Sequence, residues 1–157
     1  MGKYRKLLTS YKFGKRTALA HFFSEKLLEA IKEEPLLQDI AVVPVPPRPG
    51  KIKESGWDQV DLLVKQLEKK SRQSLRQIPI CRCLKRRMSK VQKYLNRTER
   101  LENLKGRIFV QSSSAAAPER VFIIDDVITT GSTIEVCAQA LKDAGAQKVY
   151  GLCLFYD

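Results

Sequence analysis

Two adjacent carboxylates, Asp125 and Asp126, follow the apolar run Val121-Phe-Ile-Ile124, and three residues later the chain reads Thr129-Thr-Gly-Ser-Thr133. A buried strand that runs into a turn and then a helix places such residues where open α/β sheets bind ligands, beyond the carboxyl ends of the strands. Gly131 permits backbone dihedrals that other residues resist and lets the chain approach a ligand closely. The hydroxyls of Thr129, Thr130, Ser132 and Thr133, the unpaired amides of the turn and the helix dipole make a cradle for a phosphate. A phosphate alone gains nothing from two acids beside it. Vicinal sugar hydroxyls do, because they donate to carboxylate oxygens, and so does Mg²⁺ held through its waters. Acids beside a phosphate cradle therefore describe a ribose 5-phosphate site, with Asp125 and Asp126 on the ribose and as candidate metal positions. A strand that merely ends in an acid, or a helix merely capped by Ser, would show one of these features and not the whole run. No Gly-Lys-Ser/Thr step is present, which excludes a Walker-type loop.

The elements that must position these residues follow from periodicity. Residues 120–124 form a continuous β-branched and aromatic run, hence a buried strand. Residues 132–144 have helical spacing through Ile134, Cys137, Ala138 and Leu141, with Gly145 as the C-terminal stop, and residues 148–155 form a further strand. Strand–turn–helix–strand in this order is a βαβ unit with parallel strands. Upstream, residues 17–33 and 57–70 have amphipathic helical spacing, and Pro35 lies past the first of them. Residues 40–45 form a strand closed by Pro46-Pro47, residues 78–84 alternate as a strand, and residues 107–111 form another. The polar, basic segment 85–105 is expected to be a mobile loop containing a short helix near 98–102. Residues 112–118, small and rich in Ser and Ala, are expected to be a flexible connection. The chain has 157 residues, one domain's worth, and no internal repeat.

Composition narrows the partners. The net charge of +12 is concentrated in the middle, where residues 48–107 carry 18 Lys/Arg against 6 Asp/Glu, while residues 108–157 carry 3 against 6. Such a segment suits a polyanion: a pyrophosphate, a nucleotide or a nucleic acid. No apolar stretch approaches the ~20 residues of a membrane span. The basic start Met1-Gly-Lys-Tyr-Arg-Lys is not followed by a signal-peptide core. A cytoplasmic location is expected. Cys81, Cys83, Cys137 and Cys153, with His21 the sole histidine, are too few and wrongly spaced for a zinc knuckle and are expected to be buried free thiols.

The stretch Val121 to Thr133 resembles the 5-phosphoribosyl-1-pyrophosphate (PRPP) signature of type I phosphoribosyltransferases. More of the chain resembles their ComF branch of competence-associated proteins: Tyr4-Arg-Lys-Leu-Leu-Thr-Ser-Tyr-Lys-Phe-Gly-Lys-Arg16, then Val43-Pro-Val-Pro46 with Glu54-Ser-Gly-Trp-Asp-Gln59, then Lys85, Arg87, Ser89, Gln92, Arg100 and Asn103. The four-cysteine zinc module with which ComF proteins commonly begin is not expected in this chain, where the resemblance starts at Tyr4. The family's Arg-Gly-Phe-Asn-Gln stands as Ser55-Gly-Trp-Asp-Gln59.

The resemblance implies a parallel sheet flanked by helices, as one domain over 1–157, with a small N-terminal hood over 1–16 that recognises the acceptor. It implies ribose contacts from Asp125 and Asp126 and 5-phosphate contacts from Thr129, Thr130, Gly131, Ser132 and Thr133. It also implies a pyrophosphate turn at Pro46, Pro47 and Arg48, where an unusual peptide geometry is frequent, and Mg²⁺-dependent transfer of phosphoribosyl to an acceptor with release of pyrophosphate. Arg87 and Lys90 of the basic segment are candidate catalytic cations, with Arg86 and Arg48 beside them, to neutralise the leaving pyrophosphate. A second expectation is a competence factor that binds single-stranded DNA through the basic middle, with Trp57 and Tyr94 as stacking aromatics and the PRPP pocket as sensor or relic. A homodimer is compatible with the chain.

Overall fold

The computed structural model describes residues 3–12, 17–33, 40–74, 77–88, 96–111 and 117–156. Its core is a three-stranded parallel sheet in the order β1–β4–β5, formed by Ala41–Pro44, Arg120–Ile128 and Lys148–Tyr156. Helix α6 (Ser132–Asp143) crosses from β4 to β5 and completes the expected βαβ unit. Helices α1 (Lys3–Lys12), α2 (Ala18–Glu33), α3 (Lys51–Ser55) and α4 (Gln59–Arg72) precede it. A separate two-stranded antiparallel sheet pairs β2 (Leu84–Arg86) with β3 (Ile108–Val110), and α5 (Arg97–Leu104) lies between them in sequence.

Side-chain alternation along β4 creates two cores. Phe122 and Ile124 join the cluster of Tyr11, Phe23, Leu27, Ile31, Val60, Leu63, Val64 and Leu67, so α1, α2 and α4 cover that face. Val121 and Ile123 join the opposite cluster with Val43, Leu84, Leu104, Ile108, Cys137 and Leu141, so α6 and the small sheet cover the other. Leu63, Val64 and Leu67 are fully buried, at spacing that puts them on one side of α4. Burying each such side chain contributes about 1.5–3 kcal/mol.

The sequence reading needs three corrections. First, β4 does not stop at Ile124. It runs to Ile128, because β5 continues to pair with it at Asp125↔Cys153, Val127↔Phe155 and Ile128↔Tyr156. The two acids are strand residues, not residues of the turn. Second, residues 78–84 do not form one strand. Ile80 makes an isolated parallel bridge to Val42, with Val42 N–H donating to the Pro79 carbonyl and Cys81 N–H to the Val42 carbonyl, both at 2.8 Å. Pro79 has no N–H to extend that ladder. The chain then leaves to start β2, which with β3 builds the small sheet outside the main one. Third, segment 85–105 opens in a strand, β2, while the short helix expected near 98–102 is present as α5, whose Asn96 cap accepts from Glu99 N–H while the Glu99 side chain accepts from Asn96 N–H; residues 89–95 lie outside the described residues.

Ser89, Lys90, Gln92 and Tyr94 lie outside the described residues, as do Pro35, residues 13–16 and 112–116, and the Arg100 side chain. No helix among the described residues is long and apolar enough to cross a membrane.

Candidate functional site

The carboxyl ends of β1 and β4 open into a cavity of about 720 Å³, within the size range of small-molecule sites. Its walls bring together every site residue expected from the motifs on β1 and β4: Pro46, Pro47 and Arg48 on one side, Asp125 and Asp126 at the base, and Thr129, Thr130, Gly131, Ser132 and Thr133 opposite.

Each wall has a local cause. β1 ends because Val45 N–H makes a last bond to the Ile124 carbonyl at 3.0 Å, after which Pro46 and Pro47 have no donor to give. The chain turns into α3, whose entry residue Gly50 has φ of 84°. No peptide bond among the described residues is cis. Opposite, Gly131 has φ of 77° and stands at the N-cap of α6. That left-handed geometry carries no penalty for glycine and exposes the first-turn amides of the helix to the cavity. Ser132 is buried; its hydroxyl lies 2.9 Å from Thr130 Oγ1 and donates to the Arg97 carbonyl at 3.3 Å. Ser132 therefore ties the turn, through Thr130, to α5.

Alternation along β4 sorts the two acids. Asp125 faces the α6 side, near Cys137 and Arg86; Asp126 faces the α1 and α4 side. Asp125 Oδ1 also accepts from the backbone N–H of Asp126 at 2.8 Å. Loss of solvent, then the neighbouring charge of Asp126, raises the Asp125 pKa to about 7. Asp126 is held differently: Lys12 Nζ of α1 lies 3.0 Å from its Oδ2.

Cations ring the cavity, most of them with partners. Arg48 forms a bidentate pair with Glu54 of α3. Lys51 bonds the Asp58 carboxylate at 2.5 Å and the Gln59 side-chain oxygen. Asp58 also caps α4 by accepting from Asp61 N–H at 2.8 Å. The acid at position 58 thus has a structural use, and Ser55, 2.7 Å from the Lys51 and Trp57 carbonyls, closes the turn before it. Trp57 packs edge-on against Tyr11 at 5.6 Å.

Arg86 lines the cavity, while Arg87 points away from it, with its guanidinium 4.8 Å from the centre of the Phe109 ring. Burial lowers the Arg86 pKa, and Cys137 and Asp125 act against that shift. The signal for Arg86 was present in the sequence: it shares a strand face with buried Leu84. Lys12 and Lys51 were not foreseen, since nothing local in the sequence ties α1 or α3 to the end of β4.

The four cysteines are free; Cys83 and Cys137 are buried, and burial pushes the Cys83 thiol up to about 12. Among the described residues no group of three or more His, Cys, Asp and Glu could hold a metal ion by itself. Two carboxylates fit a Mg²⁺ that arrives with its ligand and waters, not a metal bound by protein alone.

Comparison with known proteins agrees with this geometry. A family profile described as the phosphoribosyl transferase domain matches residues 68–157. Competence protein F of Haemophilus influenzae is 31% identical over 112 residues, 69% of this chain and 47% of that protein. Competence protein ComFC of Streptococcus pneumoniae is 28% identical over 139 residues, 88% of this chain and 57% of that protein. The chain thus spans about half the length of these curated relatives. A stretch of 31 residues is 61% identical to the ribose-phosphate pyrophosphokinase of Staphylococcus aureus, covering 20% of this chain and 10% of that enzyme. Among solved structures, a hypoxanthine phosphoribosyltransferase from Staphylococcus aureus superposes with a TM-score of 0.50 at 11% identity, over 90% of this chain and 65% of that one. A hypoxanthine-guanine phosphoribosyltransferase from Bacillus anthracis does so with a TM-score of 0.50 at 10% identity, over 90% and 68%. These two establish the fold alone. With the profile over more than half of its length and ComF proteins among its relatives, the chain belongs to the phosphoribosyl transferase domain family, on its ComF branch.

Proposed function

We propose that the chain binds PRPP with Mg²⁺ in the cavity at the end of β4 and transfers its phosphoribosyl group to an acceptor. The observation that carries this reading is the meeting of three groups in one cavity: two acids, an amide-rich turn at the N-terminus of α6, and the Pro46-Pro47-Arg48 turn. Asp125 and Asp126 accept from the ribose hydroxyls. Thr129 to Thr133 hold the 5-phosphate. The turn at residues 46–48 faces the pyrophosphate, and of the cations that the basic segment offered, Arg86 lines the same cavity and Arg87 does not. Lys90 remains a candidate from the same segment.

In the reaction the acceptor's lone pair forms a bond to ribose C1. The C1–O bond to pyrophosphate breaks, the electron pair leaves with pyrophosphate, and the acceptor loses its proton to solvent or base. Asp125 and Asp126 would hold a Mg²⁺ that arrives with the ligand, and it would supply charge neutralisation there. Arg48 and Arg86 stabilise the same developing charge from the protein. A cytoplasmic setting, where PRPP is made, is part of this reading. The test is pyrophosphate release from PRPP on addition of purine, pyrimidine or amine acceptors. Release that Asp125→Asn abolishes supports transfer; no release with any acceptor class removes the enzymatic part.

A second reading rests on a different surface. On the outer face of the small sheet, Lys85, Arg87, Arg107 and Phe109 are neighbours, since Lys85 pairs with Phe109 and Arg87 N–H bonds the Arg107 carbonyl. No carboxylate among the described residues pairs with these three cations. By contrast, Lys65, Lys70, Arg72 and Arg82 around α4 are each matched to an acid. Unmatched cations beside an aromatic ring suit single-stranded nucleic acid, and the competence proteins among the relatives are in keeping with that. Trp57 does not serve here, because it is packed against Tyr11. Salt-dependent binding of a fluorescent oligonucleotide, lost in Lys85→Gln with Arg107→Gln, is the expected result. Binding that survives that double change places the contact elsewhere.

A further inference from the structure

The β4 face that carries Asp126 also carries Phe122 and Ile124, and these pack in the core that contains Tyr11 of α1. Tyr11 has no solvent exposure. Its ring meets Phe23 edge-on at 5.4 Å and Trp57 at 5.6 Å, and its hydroxyl donates to the Gln59 carbonyl at 2.7 Å. Those contacts fix the last turn of α1 against α2 and the start of α4. Lys12 is the next residue, so its reach is set by an anchored neighbour. Its ammonium stands 3.0 Å from Asp126 Oδ2, with the side chain 26% exposed, and it lines the cavity.

We propose that Lys12 is a donor-binding residue, and that α1 is part of the site for the phosphorylated ribose and not only of a hood for the acceptor. The proposal rests on the assignment of the cavity to PRPP. A carboxylate offers roughly four acceptor positions and an ammonium three donors. The ion pair therefore leaves Asp126 able to accept from a ribose hydroxyl, and leaves Lys12 able to donate to a ribose oxygen on the same side. Lys12 also offsets the charge of Asp126, which otherwise faces a strongly anionic ligand across a partly desolvated cavity. The Lys12 charge also acts on Asp125, lowering its pKa against the larger effect of burial, so one cation from α1 bears on both acids.

Calorimetric titration of the full chain with PRPP and Mg²⁺, and separately with ribose 5-phosphate, tests this in the wild type, Lys12→Met and Lys12→Arg, with a thermal melt of each. Lys12→Met is expected to weaken both ligands about tenfold, the loss of one charge-assisted hydrogen bond. Lys12→Arg is expected to stay within about threefold of the wild type, since it keeps charge and donors. Lys12→Arg should melt with the wild type and Lys12→Met only modestly below it, because Tyr11 anchors α1 and the change removes only the partner of Asp126. Wild-type affinity, or tighter binding, in Lys12→Met overturns the proposal; the tighter result makes Lys12 a plug. A loss that follows a lowered melting midpoint and is not rescued by Arg also overturns it, in favour of a structural role. No binding by the wild type itself removes the PRPP assignment and this proposal with it.

Discussion

Asp125 and Asp126 are adjacent in the chain but face opposite sides of β4, and the Asp125 carboxylate accepts from the Asp126 backbone N–H at 2.8 Å. The pair is therefore two carboxylates in two environments. Asp125 looks toward α6, Cys137 and Arg86; Asp126 looks toward α1 and is held by Lys12.

A pH dependence of stability follows. The Asp125 pKa is about 7 in the folded protein, against an ordinary 3.8. Between those values the folded state keeps a proton that the unfolded state releases, so this group makes stability fall as pH rises through the window. Asp125→Asn removes the ionisation. The variant should melt above the wild type at pH 8, by more than about 1.4 kcal/mol, the equivalent of one pKa unit. The difference should vanish below pH 4. A difference that does not change with pH would show that Asp125 titrates normally.

Gly131 tests the cradle. Its φ is 77°, and a Cβ there would meet nothing within 4 Å. Gly131→Ala should thus destabilise by about 1–2 kcal/mol through backbone strain alone, without a clash. Because the strain sits at the N-cap of α6, affinity for ribose 5-phosphate should fall as well. A variant with wild-type melting and wild-type affinity would mean that the turn tolerates a side chain and does not hold the phosphate.

Arg86 and Arg87 separate the two surfaces. Arg86→Met should weaken PRPP binding, because Arg86 lines the cavity beside Asp125. Arg87→Met should weaken PRPP less and should reduce oligonucleotide affinity and its salt slope, because Arg87 lies over Phe109 on the other face. Isothermal titration with each ligand decides; the reverse pattern would exchange the roles of the two residues.

Asp58 carries a stability prediction. It is buried, caps α4 and holds Lys51. Asp58→Ala loses the cap and leaves the Lys51 ammonium without its carboxylate, a change expected to cost about 2–4 kcal/mol. Asp58→Asn keeps the cap and should cost less. Chemical denaturation of both measures the difference, and equal losses would assign the whole effect to the ion pair.

What the sequence made legible was local. The motif Val121 to Thr133 and the turn at Pro46–Arg48 named residues that meet in one cavity, because strand, turn and helix signals in those stretches are contiguous. The end of β4 was missed because a carboxylate breaks an apolar run without breaking a strand; pairing with β5 decides where β4 stops. The position of β2 and β3 outside the main sheet was missed because period-2 alternation does not name a partner. Lys12 was out of reach for a different reason. Its meeting with Asp126 depends on how Tyr11 docks among Phe23, Trp57 and Gln59, contacts between elements distant in sequence.

The central claim is that the cavity at the end of β4 binds PRPP. Its most direct test is a calorimetric titration of the wild type and of Asp125→Asn with Asp126→Asn, using PRPP in the presence of Mg²⁺. The account predicts saturable binding at one site in the wild type and its loss in the double variant, with the fold retained by circular dichroism. Absence of binding by the wild type, or binding that the double variant keeps, would contradict it.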